Sequence, residues 1–292
     1  MNSRPLVSIG MPVYNGENLI EKALDTLIAQ EYDNFELIIC DNASIDNTAD
    51  IIKKYSNKDN RIRYTRNQDN IGPLGNFKKV LELSQGEYFM WAAHDDMWHP
   101  SYIRELLLLL NQYDSAVLAV SQVAKIELSG ELRYIRPLVR DSLGMPYIER
   151  LRYFLSNTYG ALVYGLFRRH ILMESASLMD RKDPMGTDVL IVLSCIDKGD
   201  LVTFPEPLFF ERKHGFSSNV STYQGLFKVL FCLFEYSRLL FKCFKWSDLP
   251  FFQKFCLFKA CSLHIGRRLT GTYYRNLIYL QLRKKITKYI GQ

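Results

Sequence analysis

The sequence predicts an α/β fold in which helices cover both faces of a mostly parallel central sheet, followed by a C-terminal helical extension. Over the first hundred residues, short apolar runs alternate with segments of helical periodicity, as in chains whose parallel strands are joined by helices. Beyond residue 220, Phe- and Leu-rich segments are interrupted every few residues by a charged, mostly basic residue, which favours amphipathic helices. With 292 residues, 48% of them hydrophobic and 23% charged, the chain can bury a large core.

Four strands are expected in the first hundred residues, because four apolar runs there are each followed by polar residues. They are placed at Val7–Val13, Phe35–Asp41, Ile62–Arg66 and 88–93. Helices are expected between them, where apolar residues recur at helical spacing or helix-capping residues precede the segment. These helices are placed at 17–30, 48–55 and 76–84.

The simple alternation breaks down in the second part of the body. Helices are expected there at 100–113, 145–157 and 187–198, and strands at 116–126 and 161–167. A further strand at 201–204 is expected to end at Pro205, because proline cannot donate to a β ladder.

The tail of the chain differs from the body in charge. Residues 223–292 hold 13 basic and 2 acidic residues, a net charge of +11, whereas the remainder holds 24 basic and 29 acidic residues, a net charge of −5. A basic, aromatic tail suits the surface of an anionic membrane, but a helical cap packed on the body and a dimer contact are equally open. We expect no transmembrane span, because no window of about 18 uncharged apolar residues exists. The aromatic and basic residues lie on predicted helices and not on a stacking platform, so nucleic acid is not expected as a partner.

The six cysteines show neither a CxxC pair nor the spacing of a metal finger, and no secretory leader is recognised ahead of the first strand. We therefore expect a protein of a reducing cytoplasm, peripheral at the inner face of the membrane if the tail binds lipid.

Short polar side chains follow the predicted strands at their carboxyl ends, where parallel sheets bind their ligands. The strongest signal is the pair that ends the apolar run 88–93, because burying two carboxylates is costly unless cations or hydrogen-bond donors meet them. Each residue alone has a plain alternative, such as a turn or the cap of the next helix. The set comprises Asn15, Asp41, Asn70, Asp95 and Asp96.

Residues 7–100 resemble the nucleotide-sugar half of a family 2 glycosyltransferase with the GT-A fold. The resemblance rests on four segments in the family's order and spacing: Val7 to Asn15 in the opening strand and turn, Asp41-Asn42-Ala43-Ser44 in the base-recognising segment, Asn70-Ile71-Gly72 in the third loop, and His94-Asp95-Asp96 in the metal-binding signature. Weaker resemblance continues to about Asn219. It implies a transferase domain at 1–220, with a nucleotide-sugar half at 1–100, an acceptor half at 101–220 and the tail at 221–292.

The resemblance also implies roles for individual residues. Binding of the nucleotide sugar falls to Pro12, Tyr14, Asn15, Asp41, Ser44, Asn70, Asp95 and Arg212. Binding of Mn²⁺ or Mg²⁺ falls to Asp96 and to His214, which lies in a late loop that closes over the diphosphate. The sequence departs from the family in one place, because His94 stands where the signature usually begins with an acid.

An inverting transferase needs a base that removes the proton of the acceptor hydroxyl. The resemblance assigns this role to Asp188, in a segment where the family has an acid at the start of a helix, and Asp183 is the nearby competitor. An Asp in the first turn of a helix is also favoured by the helix dipole alone.

These features predict a non-processive enzyme of surface-glycan or polysaccharide synthesis, because the Gln-x-x-Arg-Trp motif and the membrane spans of processive members are missing. A UDP-sugar is the expected donor, and a glycan or a lipid-linked sugar the expected acceptor. Two other functions remain open: a sugar-phosphate nucleotidyltransferase and a non-catalytic membrane-binding scaffold on the same fold. Dimerisation through the tail is open as well.

Overall fold

The computed structural model describes residues 4–181, 186–213, 226–244, 246–247 and 249–267. Its strands are β1 (Val7–Val13), β2 (Phe35–Asp41), β3 (Ile62–Arg66), β4 (Tyr88–Trp91), β5 (Met97–Trp98), β6 (Ala116–Ile126), β7 (Leu132–Ile135), β8 (Leu166–Arg168) and β9 (Asp200–Arg212). Its helices are α1 (Ile20–Ile28), α2 (Thr48–Ser56), α3 (Gly72–Glu82), α4 (Tyr102–Gln112), α5 (Tyr147–Asn157), α6 (Arg169–Met173), α7 (Thr187–Ile196), α8 (Leu226–Lys242) and α9 (251–267). Two short 3₁₀ helices lie at Gly160–Tyr164 and Ala176–Met179.

The strands in the described part of the chain form one sheet with the order β3-β2-β1-β4-β8-β6-β9-β5, and β7 pairs with β6. Strands β3, β2, β1 and β4 are parallel, so their carboxyl ends lie along one edge. Strand β8 then runs antiparallel to both of its neighbours, and β6 and β9 are parallel to each other. The α/β fold with a central sheet is therefore confirmed, with a parallel half that carries the predicted binding residues and a mixed half beyond it.

Strands β1, β2, β3 and β6 occupy the predicted residues, because their apolar runs are bounded by clear polar breaks. Every residue of β1 and β2 is buried, as expected for central strands covered on both faces. Helix α3 begins at Gly72, four residues before the predicted start. Pro73 occupies its first turn, where proline is favoured because the amide there needs no partner within the helix.

The predicted strand at 161–167 is wrong over most of its length. Residues Gly160–Tyr164 form a 3₁₀ helix, and only Leu166–Arg168 form a strand. In this helix Ala161 packs on one face of the sheet, while Leu162 and Val163 pack on the other. A continuous apolar run buried in this way has the same pattern as a buried strand, so the sequence does not distinguish the two.

The predicted end of pairing at Pro205 is also wrong, because β9 continues to Arg212. Phe204 pairs with Ser121 of β6 and Pro207 with the next residue, Gln122, so Pro205 and Glu206 lie in a bulge. Both bulged residues are exposed. The bulge removes the need for a ladder donor at the proline, and the strand resumes beyond it.

The core lies on both faces of the sheet. One apolar cluster packs the sheet against α3, α5 and α7, and the other packs it against α1 and α4. The C-terminal part of the chain joins the first cluster through five buried side chains, four on α8 and α9 and one just after α8: Tyr236, Leu240, Leu257, Cys261 and Phe244. The described part of the tail therefore packs on the body. Among the helices of the described residues, none is long and apolar enough to cross a bilayer.

Candidate active site

A cleft of about 640 Å³ opens at the carboxyl ends of β1, β2 and β4. Five of the predicted site residues line it: Pro12, Tyr14, Asn15, Asn70 and Asp95. The parallel order of these strands brings together residues that are up to 83 positions apart in the chain, as the sequence predicted. The same cleft is lined by Asn42, His94 and Tyr164, to which the sequence analysis gave no role in binding or catalysis.

The loops after β1 and β2 are tied to each other on one side of this cleft. The backbone N–H of Asn15 donates to the Ser44 Oγ (2.9 Å), and the Asn15 Oδ1 accepts from the backbone N–H of Ile45 (3.0 Å). Asn15 and Ala43 both adopt left-handed backbone conformations, with φ of 52° and 61°. Such conformations are held only where the surrounding contacts fix them, so the two loops form one rigid wall.

Asp41 is fully buried at the end of β2, behind the residues that line the cleft. Its Oδ1 accepts from the backbone N–H of Ser44 (2.8 Å), and its Oδ2 accepts from the Tyr64 hydroxyl (3.2 Å). Arg66 lies 3.5 Å from the same carboxylate and donates to the Ser44 carbonyl. Burial, followed by the negative charge of Asp41, raises the pKa of Tyr64 to about 12. Asp41 therefore holds the loop that carries Ser44.

A network of asparagine side chains joins the loops after β2 and β3. The Asn42 amide donates to the Asn70 Oδ1 (2.8 Å), and the Asn42 Oδ1 accepts from Asn67 (2.9 Å) and from the backbone N–H of Ile71 (3.0 Å). Asn76, buried in α3, donates to the carbonyl of Cys40 (2.8 Å). Asn42 belongs to the segment Asp41-Asn42-Ala43-Ser44, which carries part of the family resemblance. For Asn76 the only signal in the sequence is an amide on the apolar side of a helix.

The two carboxylates after β4 differ in their surroundings. Asp96 is only 4% exposed, and its Oδ1 accepts from the backbone N–H of Arg212 (2.8 Å). Burial raises the pKa of the Asp96 carboxyl well above its ordinary value, and the neighbouring charge of Asp95 raises it further. Asp95 faces the cleft. A carboxylate that is costly to ionise beside a second acid fits a hard cation, since a divalent metal ion would offset both burial and repulsion.

The described residues provide no group of three His, Cys, Asp or Glu side chains that could hold a metal ion by themselves. Any ion at Asp96 would need oxygen atoms of a ligand or of water as well, as Mg²⁺ commonly does. His214, the second predicted metal residue, lies outside the described residues, as does Asp183. His94 lines the cleft with its ring against Gly16, where an added Cβ would come within 2.7 Å of the ring.

Arg212 is buried as the last residue of β9, and its guanidinium holds the segment that carries the acid pair. It donates to the Asp95 carbonyl (3.1 Å) and lies 2.8 Å from the Met97 sulfur, while its Nε has no hydrogen-bond partner among the described residues. The sequence predicted contact with the nucleotide sugar. The structure places Arg212 next to the acid pair, with its backbone and its side chain both bonded to that segment.

Asp188 is the second residue of α7. The helix begins directly after Gly186, which has a left-handed backbone conformation (φ 66°). The Asp188 carboxylate approaches Gly160 so closely that a Cβ added there would lie 2.1 Å from the Asp188 Oδ2. Tyr164, which lines the cleft, is close enough to Asp188 to be influenced by its charge. Its pKa is raised well above the ordinary value by burial and then by the carboxylates of Asp96, Asp95, Asp188 and Glu211. Tyr164 therefore lies within electrostatic influence of both the acid pair and the predicted base.

Residues 8–175, more than half of the chain, match the family model described as glycosyl transferase family 2. The chain belongs to glycosyltransferase family 2. An uncharacterised glycosyltransferase of Rickettsia felis is 35% identical over 165 residues, which are 55% of this chain and 26% of the relative. The putative teichuronic acid biosynthesis glycosyltransferase TuaG of Bacillus subtilis is 34% identical over 106 residues, 36% of this chain and 42% of the relative.

This family 2 chain spans between 22% and 54% of the length of five Rickettsia relatives that it matches. Among solved structures, residues 1–349 of S. aureus TarS in complex with UDP-GlcNAc have a TM-score of 0.66 at 16% identity, covering 91% of this chain and 73% of that one. The mannosyltransferase PcManGT of Pyrobaculum calidifontis, in complex with GDP-Man and Mn²⁺, has a TM-score of 0.56 at 14% identity, covering 96% of this chain and 81% of that one. The fold is accordingly the GT-A fold.

Proposed function

We propose that this glycosyltransferase moves one sugar from a nucleotide-sugar donor, with a UDP-sugar as the expected donor, to an acceptor hydroxyl with inversion at the anomeric carbon. The observation that carries this proposal is the position of Tyr164, at the cleft and within electrostatic reach of Asp95, Asp96 and Asp188. An acid pair and a third acid that all influence Tyr164 suit a displacement in which different carboxylates assist the leaving group and the attacking hydroxyl.

The donor would lie in the cleft, against Pro12, Tyr14, Asn15 and Asn70, with the base toward the loop that Asp41 and Ser44 hold. The rigid wall formed by these loops favours binding, because little conformational freedom is lost when the donor enters. The two neighbours cited above carry UDP-GlcNAc and GDP-Man, which supports a nucleotide sugar as the class of donor.

Asp96, together with His214, would hold a Mn²⁺ or Mg²⁺ ion, and Asp95 would contact the nucleotide sugar beside it. Such an ion supplies positive charge to the diphosphate oxygens of the leaving group. The chain's own contribution is to fix the acid pair, through the Arg212 backbone N–H on Asp96 and the Arg212 guanidinium on the Asp95 carbonyl.

Asp188 would act as the general base. As the acceptor oxygen forms its bond to the anomeric carbon, the Asp188 carboxylate takes the hydroxyl proton, and the bond to the nucleoside diphosphate breaks. The close approach to Gly160 would fix the direction of the carboxylate, so that its orientation does not have to be selected during the reaction.

The acceptor is proposed to be a surface glycan or a lipid-linked sugar, because the relative TuaG is named for teichuronic acid biosynthesis. We also propose that the enzyme works as a peripheral protein at the inner face of the membrane, since its tail is strongly basic.

The proposal is tested with a panel of UDP-, GDP-, dTDP- and CMP-sugars, each with Mn²⁺ and without it. A donor is expected to raise the unfolding midpoint, and to do so more strongly with Mn²⁺, because only binding to the native state stabilises it. Asp188→Asn should keep this shift and lose transfer by at least about 100-fold. Full turnover by that variant would contradict the assignment of the base, and pyrophosphate release from a sugar phosphate and an NTP would favour a nucleotidyltransferase.

A further inference from the structure

Helix α9 divides its side chains between the body and the solvent in an unusual way. One face is buried against the body through Leu257, Cys261 and His264. Its position is fixed by His264, whose ring lies 2.7 Å from the Tyr236 hydroxyl of α8 and 2.6 Å from the Leu155 carbonyl of α5. The helix is thus anchored to two other helices, and the opposite face points away from the body.

The outward face is apolar, although it is exposed. Phe251 is 87% exposed, Phe252 74%, Phe255 59% and Leu263 53%, and Phe258, whose ring also packs against Phe241 of α8, is 54% exposed at the edge of this face. With Lys259 the first four recur at intervals of three, four and seven residues, so they form one continuous stripe along the helix. Exposed apolar residues scattered singly are ordinary, but a stripe of three phenylalanines and a leucine on one helix face marks an interaction surface.

The charge on this helix identifies the partner. Residues 251–267 contain three basic and no acidic residues, and residues 268–292 add six basic and no acidic residues. Lys259 lies exposed within the apolar stripe, where its stem can cover apolar surface while its ammonium group reaches outward. A second copy of this face would bring like charges together in a symmetric contact, with no acid to offset them. An anionic bilayer offers acyl chains to the phenylalanines and headgroup charge to the lysines.

We infer that the outward face of α9, formed by Phe251, Phe252, Phe255, Lys259 and Leu263, docks the enzyme on the surface of an anionic bilayer. The helix lies in the plane of the interface, with the phenylalanine rings below the headgroups and the ammonium group of Lys259 among them. This inference rests on the peripheral membrane location proposed above and assigns that contact to α9; it does not depend on which sugar the enzyme transfers.

The inference is tested by co-sedimentation of the full chain with vesicles of phosphatidylcholine alone or mixed with phosphatidylglycerol. The wild type is expected to bind the mixed vesicles. The variant Phe251→Ser/Phe252→Ser/Phe255→Ser is expected to bind at least about tenfold more weakly, because each buried phenylalanine contributes strongly to partitioning. Lys259→Gln is expected to weaken binding about fivefold on mixed vesicles and to have no effect on phosphatidylcholine.

The matched control is Leu128→Ser/Leu132→Ser/Leu138→Ser, which removes three exposed leucines (54%, 61% and 43% exposed) outside α9. This control should bind like the wild type, and all variants should keep the wild-type unfolding midpoint because the altered side chains are exposed. Two results would overturn the inference. One is unchanged vesicle binding by the phenylalanine variant. The other is a fall of its mass from dimer to monomer in sedimentation equilibrium without a loss of vesicle binding, which would show that the face binds a second copy.

Discussion

At the residue scale, Asp96 shows how a binding site opposes stability. Its carboxyl is buried beside a second acid, and its pKa is raised mainly by that burial. The unfolded chain has an ordinary carboxyl with a pKa of about 3.9. Between that value and the raised value of the folded protein, the folded state binds more protons, so the free energy of unfolding falls as the pH rises. The burial of Asp96 therefore costs the metal-free fold stability at neutral pH.

We predict that Asp96→Asn raises the unfolding midpoint at neutral pH in the presence of a chelator and abolishes transfer. Asn keeps an oxygen that accepts from the Arg212 N–H, but it has no charge to bury. The difference from wild type should shrink as the pH approaches about 4, where the unfolded carboxyl is protonated too. Calorimetry over a pH series measures it, with the exposed Asp114→Asn as control. A lower midpoint for Asp96→Asn at pH 7 would contradict the assigned cost.

A second prediction concerns Gly160, where an added Cβ would meet the Asp188 Oδ2 at 2.1 Å. Gly160→Ala should move the carboxylate and reduce transfer about as strongly as Asp188→Asn, while donor-induced stabilisation stays normal. The two variants are compared in a transfer assay and in a thermal-shift assay with donor. Gly266→Ala is the control, because an added Cβ there meets nothing within 4 Å. Normal transfer by Gly160→Ala would contradict the role of Asp188 as the general base.

At the element scale, the loops after β2 and β3 depend on buried amides for their shape. Asn42 bonds with Asn67, Asn70 and the Ile71 backbone, so its removal leaves several polar groups without partners. We predict that Asn42→Ala lowers the free energy of unfolding by about 1–3 kcal/mol and weakens donor binding. Urea unfolding measures the first effect, and the exposed Asn57→Ala should leave it unchanged. Equal losses in both variants would show that the network contributes nothing.

The elements that the sequence predicted correctly are those with unambiguous boundaries. β1 and β2 are seven-residue buried runs flanked by polar residues, and the polar residues at their ends line the cleft or its wall. The predictions failed in two places. An apolar run packed on both faces of the sheet formed a 3₁₀ helix at Gly160–Tyr164, and a bulge allowed β9 to continue beyond Pro205. Tyr164 was missed for the first reason. The charges that act on it, those of Asp96, Asp95, Asp188 and Glu211, are brought near it only by the tertiary fold.

At the scale of the whole molecule, the basic tail is joined to the acidic body through a shared apolar cluster. Tyr236, Leu240, Leu257 and Cys261 belong to the same cluster as α5 and α7. The sequence predicted the change of charge at the tail, but it left open whether the tail packs on the body, because amphipathic periodicity does not identify what an apolar face contacts. That contact also bears on Asp188, since the same cluster supports α7.

We predict that a chain ending at residue 220 unfolds at a lower temperature than the full chain and binds a hydrophobic dye, because the body would expose the surface that α8 and α9 cover. Dye fluorescence and thermal unfolding measure the change. The phenylalanine variant of α9 serves as the control, since its altered residues face away from the body. A truncated chain as stable as the full one would show that the tail is an independent unit.

The bulge in β9 has a consequence for how the site is encoded. Val202 and Phe209 pack in the same apolar cluster, although residues seven positions apart in an uninterrupted strand point to opposite faces. Between Ser121 and Val123 of β6, Leu208 is unpaired as well as Pro205 and Glu206, so β9 contains three more residues than its partner. This odd number inverts the inward–outward phase of the residues that follow. The position of Arg212 beside Asp96 thus depends on the number of residues in the bulge as well as on their types. Natural variation in the length of this segment should therefore occur in steps of two.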